Sequence, residues 1–358
     1  MVYNEVTTRT LGTRSQASSA ELATEAGARG VHESQQPSPD ASPTAPMSLE
    51  SSGSDGEDSG LPPRQLETGD RFNRYRIEER LGSGGMGAVF RARDDLLQRR
   101  VALKVILPDY GRRDPAAGLR FLREAEIVAG FDHPNIIRLL DAGLDDGIAY
   151  MTFEFVGGAS LAQRIRQDGP MSTEEAVRLL LPIASAMAYA HARGVVHGDV
   201  KPTNVILGRD HRGNPCPKVL DFGVSFFATV DPRLDPTRSR VAGTPGYLAP
   251  ERLTQADLDS RLDCFSLGCV LYECLTGRGP FSHCKRLSEA ALAAYNADYV
   301  PPSHVCNLPH DVDRVVARAL APRPAERYAT VAALARDLLI YAAPSVRDQW
   351  ALEFAENA

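Results

Sequence analysis

The apolar pattern along this chain changes period once, and that change limits the folds open to it. Between Tyr75 and Val105 apolar residues alternate in short runs: Tyr75-Arg-Ile77, Ala88-Val-Phe90-Arg-Ala92 and Val101-Ala-Leu-Lys104-Val105. Alternation gives each run one face for a core and one for solvent, as in antiparallel strands joined by turns. Ile136 to Leu140 and Ile148 to Phe155 predict two more strands. Between these groups, residues 115–130 carry Leu119, Leu122, Ile127 and Val128 among charged residues, the stripe of an amphipathic helix. Beyond Gly158 the spacing is helical, and helices are predicted over 172–193, 257–276, 286–296, 311–320 and 330–341. A strand-rich first part with one helix, followed by a helix-rich second part, implies a two-lobed α+β protein.

Residues 1–70 do not share either pattern. They are rich in Ser, Thr, Pro, Ala, Gly and Glu, and hold eleven acidic side chains against four arginines and no lysine. Such a segment cannot bury enough apolar surface to offset its ordering entropy, so disorder is expected there. It reads first as a solvated linker, with its Ser-Pro and Thr-Ala runs as phosphorylation targets or a partner tether in the alternative. The chain of 358 residues has a net charge of −6 and the tail accounts for −7, so the remainder sits near +1, without the basic excess that nucleic acid binding needs. The six cysteines form no C-x-x-C pair and no zinc-like spacing, and most lie in apolar stretches, as buried reduced thiols would. No signal peptide is apparent at the start. The most apolar stretch, Leu179 to Ala190, is about twelve residues and contains Pro182, short of the about 20 that a membrane span needs. A soluble, cytoplasmic protein is expected, without a membrane span.

Gly82-Ser83-Gly84-Gly85-Met86-Gly87-Ala88-Val89 follows G-x-G-x-x-G-x-V. A dinucleotide-binding fingerprint needs a helix next, and here Ala88-Val-Phe-Arg-Ala reads as a strand. A Walker A loop needs Gly-Lys-Ser/Thr where this chain has Gly87-Ala88-Val89. What remains is a strand–turn–strand flap whose missing side chains let backbone N–H groups approach phosphate. Lys104, inside an apolar strand, either pairs its charge or snorkels to solvent.

His197-Gly198-Asp199-Val200-Lys201-Pro202-Thr203-Asn204 and, seventeen residues after Asn204, Asp221-Phe222-Gly223 place a carboxylate, a lysine, an amide and a second carboxylate in one order. Phosphoryl transfer asks for such groups: a base near the attacking hydroxyl, metal ligands near the phosphates, and positive charge over the transition state. With the glycine flap and Lys104, the chain resembles the eukaryotic-type (Hanks-type) serine/threonine protein kinases found in bacteria. The likeness runs over roughly 75–341, and it implies a bilobal fold: a small antiparallel β-sheet lobe with one helix and a large, mainly helical lobe. The corresponding domains are a disordered tail at 1–70, a kinase domain at 71–342 (small lobe 71–156, large lobe 157–342) and a C-terminal tail at 343–358.

By this resemblance, Asp199 accepts the proton of a substrate hydroxyl and Lys201 neutralises the transferring γ-phosphoryl group. Asn204 and Asp221 ligate Mg2+, with Mn2+ as an alternative. Lys104 holds the α- and β-phosphates of ATP and pairs with Glu124, which lies nine residues before His133-Pro134-Asn135; Glu126 is the rival partner. Leu81, Val89, Ala102 and Ile206 sandwich adenine, and Gly82, Ser83, Gly84, Gly85, Met86 and Gly87 cover the phosphates. Phe153 is the gatekeeper, and the Glu154 carbonyl and Val156 N–H meet the base. Gly243 to Glu251 matches the segment that holds an extended peptide, with Thr244 positioning the Ser or Thr acceptor of a protein substrate. Glu251 is expected to pair with Arg327, and Asp263 to anchor the catalytic loop.

One residue departs from the family pattern. Gly198 stands where most kinases have arginine, so it cannot pair with a phosphate on the activation loop. Activity independent of phosphorylation there is therefore expected. Thr237 and Ser239, beside Arg238 and Arg240, are the candidate sites of autophosphorylation, which self-association would bring about. Two other readings stay open: a pseudokinase scaffold, and a kinase-fold phosphotransferase for small molecules. The first is disfavoured by the presence of Lys104, Asp199, Asn204 and Asp221, the second by the intact Gly243–Glu251 segment.

Overall fold

A computed structural model describes residues 66–83, 87–106, 117–210, 212–222, 226–227, 246–254 and 258–356. Six strands form one antiparallel sheet in the order β1-β2-β3-β4-β6-β5: β1 (Arg71–Phe72), β2 (Tyr75–Ser83), β3 (Gly87–Asp94), β4 (Arg99–Ile106), β5 (Leu139–Asp145) and β6 (Ile148–Glu154). In β3 burial alternates residue by residue, with Ala88, Phe90, Ala92 and Asp94 inside. Phe72, Tyr75, Ile77, Phe90 and Leu103 make the core on that face. The Oδ1 of the buried Asp94 accepts the N–H groups of Leu96 and Leu97 at 3.0 Å each in the turn to β4, and its Oδ2 faces Arg74 Nε at 3.3 Å. Helix α1 (Ala117–Ala129) packs Phe121 and Ala125 against Ile106, Ala149 and Met151. This is the small lobe that the alternating pattern implies.

One strand is displaced from its expected place. Alternation predicts a strand over Ile136–Leu140, but β5 begins at Leu139. The backbone just before it is engaged elsewhere: Ile137 N–H donates to Val219 O at 2.9 Å, and Val219 N–H donates to Asn135 O at 2.8 Å. Ile136 is thus bridged to the large lobe and cannot join the sheet.

The large lobe is built from α2 (Leu161–Asp168), α3 (Thr173–His191), β7 (Val195–Val196), the hairpin β8 (Val205–Arg209) and β9 (Pro215–Val219), and β10 (Phe226–Phe227), which pairs with β7. Then follow α4 (Glu251–Thr254), α5 (Arg261–Thr276), α6 (Leu287–Tyr295), α7 (Pro302–Val305), α8 (Asp311–Ala319), α9 (Val331–Leu338) and α10 (Pro344–Glu356). The Ser172 hydroxyl caps α3 by accepting from Glu175 N–H at 3.2 Å, and Glu174 and Glu175 sit where the helix dipole favours acid. Nearly every residue of α5 is buried, so it forms the centre of the lobe and α3, α8 and α9 surround it. All six cysteines are free thiols; Cys264, Cys269 and Cys274 are buried on α5, while Cys216, Cys284 and Cys306 are half-buried.

The segment after α9, which sequence leaves open between packing and freedom, is the helix α10. Phe354 is fully buried, with Trp350 stacked on it at 5.7 Å between ring centres. Arg347 donates to the carbonyls of Leu339, Ile340 and Ala342, which fixes the start of α10 to the end of α9. No helix among the described residues is long and apolar enough to cross a membrane.

Candidate active site

Lys104 meets two carboxylates in the cleft between the lobes. From β4 its Nζ lies 2.8 Å and 3.0 Å from the two Glu124 oxygens on α1, and 2.8 Å from Asp221 Oδ1 just beyond β9. Glu124 is buried, whereas Glu126 is exposed on another face of α1, which decides between the two candidate partners. Burial alone lowers the pKa of Lys104, but Glu124 and Asp221 outweigh it and hold the ammonium above its usual range. The Lys104 charge holds Asp221 down to about 2 against the effect of burial. Glu124 is pushed up by burial, against the attraction of Lys104. Asp221 adopts a left-handed backbone with φ of 62°, sparsely populated for any residue but glycine and a mark of strained functional positions.

The catalytic-loop residues lie between β7 and β8. Asn204 Nδ2 donates to the Asp199 carbonyl at 3.0 Å, and Lys201 Nζ pairs with Asp199 Oδ2. His197 Nδ1 accepts the Asp199 N–H at 3.2 Å, so its proton is on Nε2 and points to Leu220 O at 3.0 Å. The imidazole thus ties the loop to the strand leading into Asp221, and Phe222 packs on it at 4.5 Å. Below, Asp263 near the start of α5 accepts from His197 N–H at 2.9 Å and Gly198 N–H at 2.8 Å, with His191 Nε2 at 2.7 Å. The expected anchoring of the loop by Asp263 is therefore present. Gly198 has φ of 74°, a backbone that glycine takes without strain.

A cleft of about 360 Å³ is lined by Lys104, Glu124, Asn204 and Asp221, while Asp199 and Lys201 are not part of its lining. Leu81, Gly82, Val89, Ala102, Lys104, Glu124, Phe153, Glu154, Val156, Asn204, Ile206 and Asp221 line it. Mostly apolar walls with a few convergent polar groups suit a flat heterocycle with charged substituents. Ile137, Phe155, Thr203 and Leu220 also line it and escaped the sequence reading, because nothing in their spacing marks them. Glu154 contributes its side chain as well as its carbonyl: Lys218 Nζ on β9 donates to Glu154 Oε1 at 2.7 Å, clamping the segment between the lobes. Gly87 closes the flap against β4, where a Cβ would stand 2.3 Å from Val105 O, so no larger residue fits. Ser83 lies at the end of β2. Gly84, Gly85, Met86, Thr237, Ser239 and Thr244 fall outside the described residues.

Also in the large lobe, Arg327 is fully buried, and all five of its N–H donors have acceptors. Two go to the Glu251 oxygens at 2.6 Å and 2.8 Å. The others go to the carbonyls of Ala321, Arg261 and Pro322. The pair fastens the start of α4 to the α8–α9 connection.

A profile of the protein kinase domain matches residues 75–339. The chain belongs to the protein kinase family. Among its relatives is the serine/threonine-protein kinase PknB of Mycobacterium leprae, 38% identical over 272 residues, 75% of this chain and 43% of that protein. PknJ of Mycobacterium bovis, also a serine/threonine-protein kinase, is 38% identical over 267 residues, 74% of this chain and 44% of its own length. The chain thus spans less than half of these curated relatives. Its kinase fold also matches the crystal structure of the Mycobacterium tuberculosis PknI kinase domain, a double mutant. There the TM-score is 0.62 and identity 27%, over 78% of this chain and all of that one. The likeness places this chain with the bacterial, Hanks-type members of the family.

Proposed function

We propose that this chain is an ATP-dependent serine/threonine protein kinase, with residues 71–342 as its catalytic domain and Asp199 as its base. The observation that carries the reading is one apolar cleft lined by the Lys104–Glu124–Asp221 cluster and by Asn204, which bonds Asp199, itself paired with Lys201. Adenine lies between Leu81, Val89, Ala102 and Ile206, and Lys104 holds the α- and β-phosphates. Asp199 takes the proton of the acceptor hydroxyl as its oxygen forms a bond to the γ-phosphorus and the bond from that phosphorus to ADP breaks. Lys201, held at Asp199, offsets the charge that spreads over the transferring phosphoryl oxygens.

Asn204 and Asp221 fit a hard divalent cation such as Mg2+: both present oxygen donors to the same cleft, and Asn204 spends its N–H on Asp199, leaving its carbonyl oxygen for a ligand. Held by Asn204 and Asp221, such a cation would neutralise charge on the phosphates. Gly198 offers no side chain to an activation-loop phosphate, so transfer proceeds without prior phosphorylation there. Autophosphorylation at Thr237 and Ser239 belongs to the same proposal.

Transfer of labelled γ-phosphate from Mg-ATP to the chain itself and to a basic protein substrate tests this, with Asp199→Asn as control. Label in the wild type and a loss of about 100-fold or more in the variant supports base catalysis. Equal labelling of both removes Asp199 from the role, and no labelling at all favours a nucleotide-binding scaffold. Phosphatase treatment that abolished activity would overturn the role given to Gly198.

A further inference from the structure

The loop 130–137 is where both carboxylates around Lys104 are secured. It leaves α1, which carries Glu124, through Gly130 and Phe131, whose N–H groups close on Ile127 O and Val128 O. It then docks on β9, the strand that leads into Asp221: Asn135 Nδ2 donates to Pro217 O at 2.8 Å, and Val219 N–H to Asn135 O. A shift in this loop would move both partners of Lys104 together.

The loop is seated on one face of α3 by two residues four apart, Ser185 and Tyr189. Asp132 N–H donates to the Tyr189 hydroxyl at 3.0 Å, and Phe131 and His133 pack on the Tyr189 ring. His133 gives the seat a direction. Its Nδ1 accepts the Asn135 N–H at 3.1 Å, which puts the ring proton on Nε2, facing Ser185 Oγ at 3.0 Å. With that lone pair occupied, the buried Ser185 hydroxyl turns its own proton away from the loop, to Glu353 Oε1 on α10. Every donor in this chain of bonds is then aimed one way, and the last acceptor is a carboxylate from a helix that follows the kinase match, which ends at 339. Hydrogen bonds in such a series strengthen one another.

We propose that Glu353 is a positioning residue for the active site: through Ser185 and His133 it fixes the loop 130–137, and so the seating of Glu124 and Asp221 around Lys104. The helix α10 is thereby an input to the cleft rather than only a cover for the large lobe. This rests on the reading of Lys104 as the phosphate-holding lysine.

The test compares Glu353→Ala, the conservative Glu353→Gln, Ser185→Ala and the double variant Glu353→Ala/His133→Gln in the full chain. Hydrogen–deuterium exchange is read over 117–129 alongside KM for ATP and kcat. Glu353→Ala is expected to raise exchange in α1 by about 10-fold, while Glu353→Gln, which still accepts from Ser185, stays near wild type. Ser185→Ala should match Glu353→Ala, and the double variant should add little to either, since all interrupt one series. On kinetics, kcat falls by about 2- to 30-fold with KM for ATP changed less. Exchange that rises only within 344–356, or single effects that multiply in the double variant, would overturn the proposal. The exchange readout needs no phosphate transfer, so a wild type without kinase activity would refute the functional reading and still leave the relay decided.

Discussion

Three residues show how the site sets its own protonation and backbone. His133 is held well below the usual histidine range, to about 4, by burial first and then by the Lys218 and Arg193 charges, with Asp132 opposing. Unfolded, its pKa is about 6.5. Between these values the unfolded chain binds a proton that the folded chain refuses, so His133 contributes to a loss of stability as pH falls from about 6.5 towards 4. Urea unfolding at pH 6.5, 5.75 and 5 should show a shallower decline in His133→Gln than in wild type; parallel curves would mean that the neutral ring is not what resists acid. Gly198 makes a second prediction, because its φ of 74° is left-handed. Gly198→Ala should cost about 1–2 kcal/mol of unfolding free energy through the backbone alone. An unchanged midpoint would place the loop in another conformation. Asp221 accepts the same kind of strain without being glycine, held there by Lys104 at 2.8 Å.

Among elements, α5 carries the most consequences for its length. Asp263 in its first turn holds the catalytic loop, Ser266 one turn on donates to Tyr247 O at 3.1 Å, and Phe265 lies under the Arg327 guanidinium at 4.9 Å. Arg327→Ala should therefore destabilise by about 3–5 kcal/mol, since it leaves the buried Glu251 carboxylate without its cation. Adding Glu251→Ala should recover part of that loss, and thermal melts of the two single variants and the double decide it. A double variant as unstable as the sum of its parts would mean that the pair is not the coupled unit. This pairing was legible in sequence, as were Lys104–Glu124 and Asp263, because fixed motif spacings carry them. The strand at β5 starts later than alternation predicts because alternation cannot show that Val219 donates to Asn135 O and accepts from Ile137 N–H, 84 and 82 positions away in the chain. The relay to Glu353 was invisible for the same reason: Ser185 and Glu353 are 168 residues apart, and neither sits in a motif. Local period predicts elements well. It is silent on which distant side chains meet.

At the scale of the molecule, the cleft takes Lys104 and Glu124 from the small lobe and Asn204 and Asp221 from the large one, so a ligand that engages all four ties the lobes together. Binding to the folded state alone stabilises by about 2.7 kcal/mol at a ligand concentration 100 times Kd. For a domain of this size each kcal/mol corresponds to about 2–4 °C, so saturating Mg-ATP should raise the melting temperature by about 5–10 °C. The division of labour between the carboxylates then becomes measurable. If Asn204 and Asp221 hold the metal as proposed, ATP should give a smaller shift with EDTA in place of Mg2+. Asp221→Asn should bring the Mg-ATP shift down to that metal-free level, while Lys104→Met should reduce the shift with metal or without it. Since Asp221 also holds Lys104, the variant shows a loss beyond the metal-free level if that ion pair aligns the lysine on its own account. If Mg2+ and EDTA gave equal shifts in wild type, Asn204 and Asp221 would not be metal ligands, and the coupling between lobes would run through Lys104 alone.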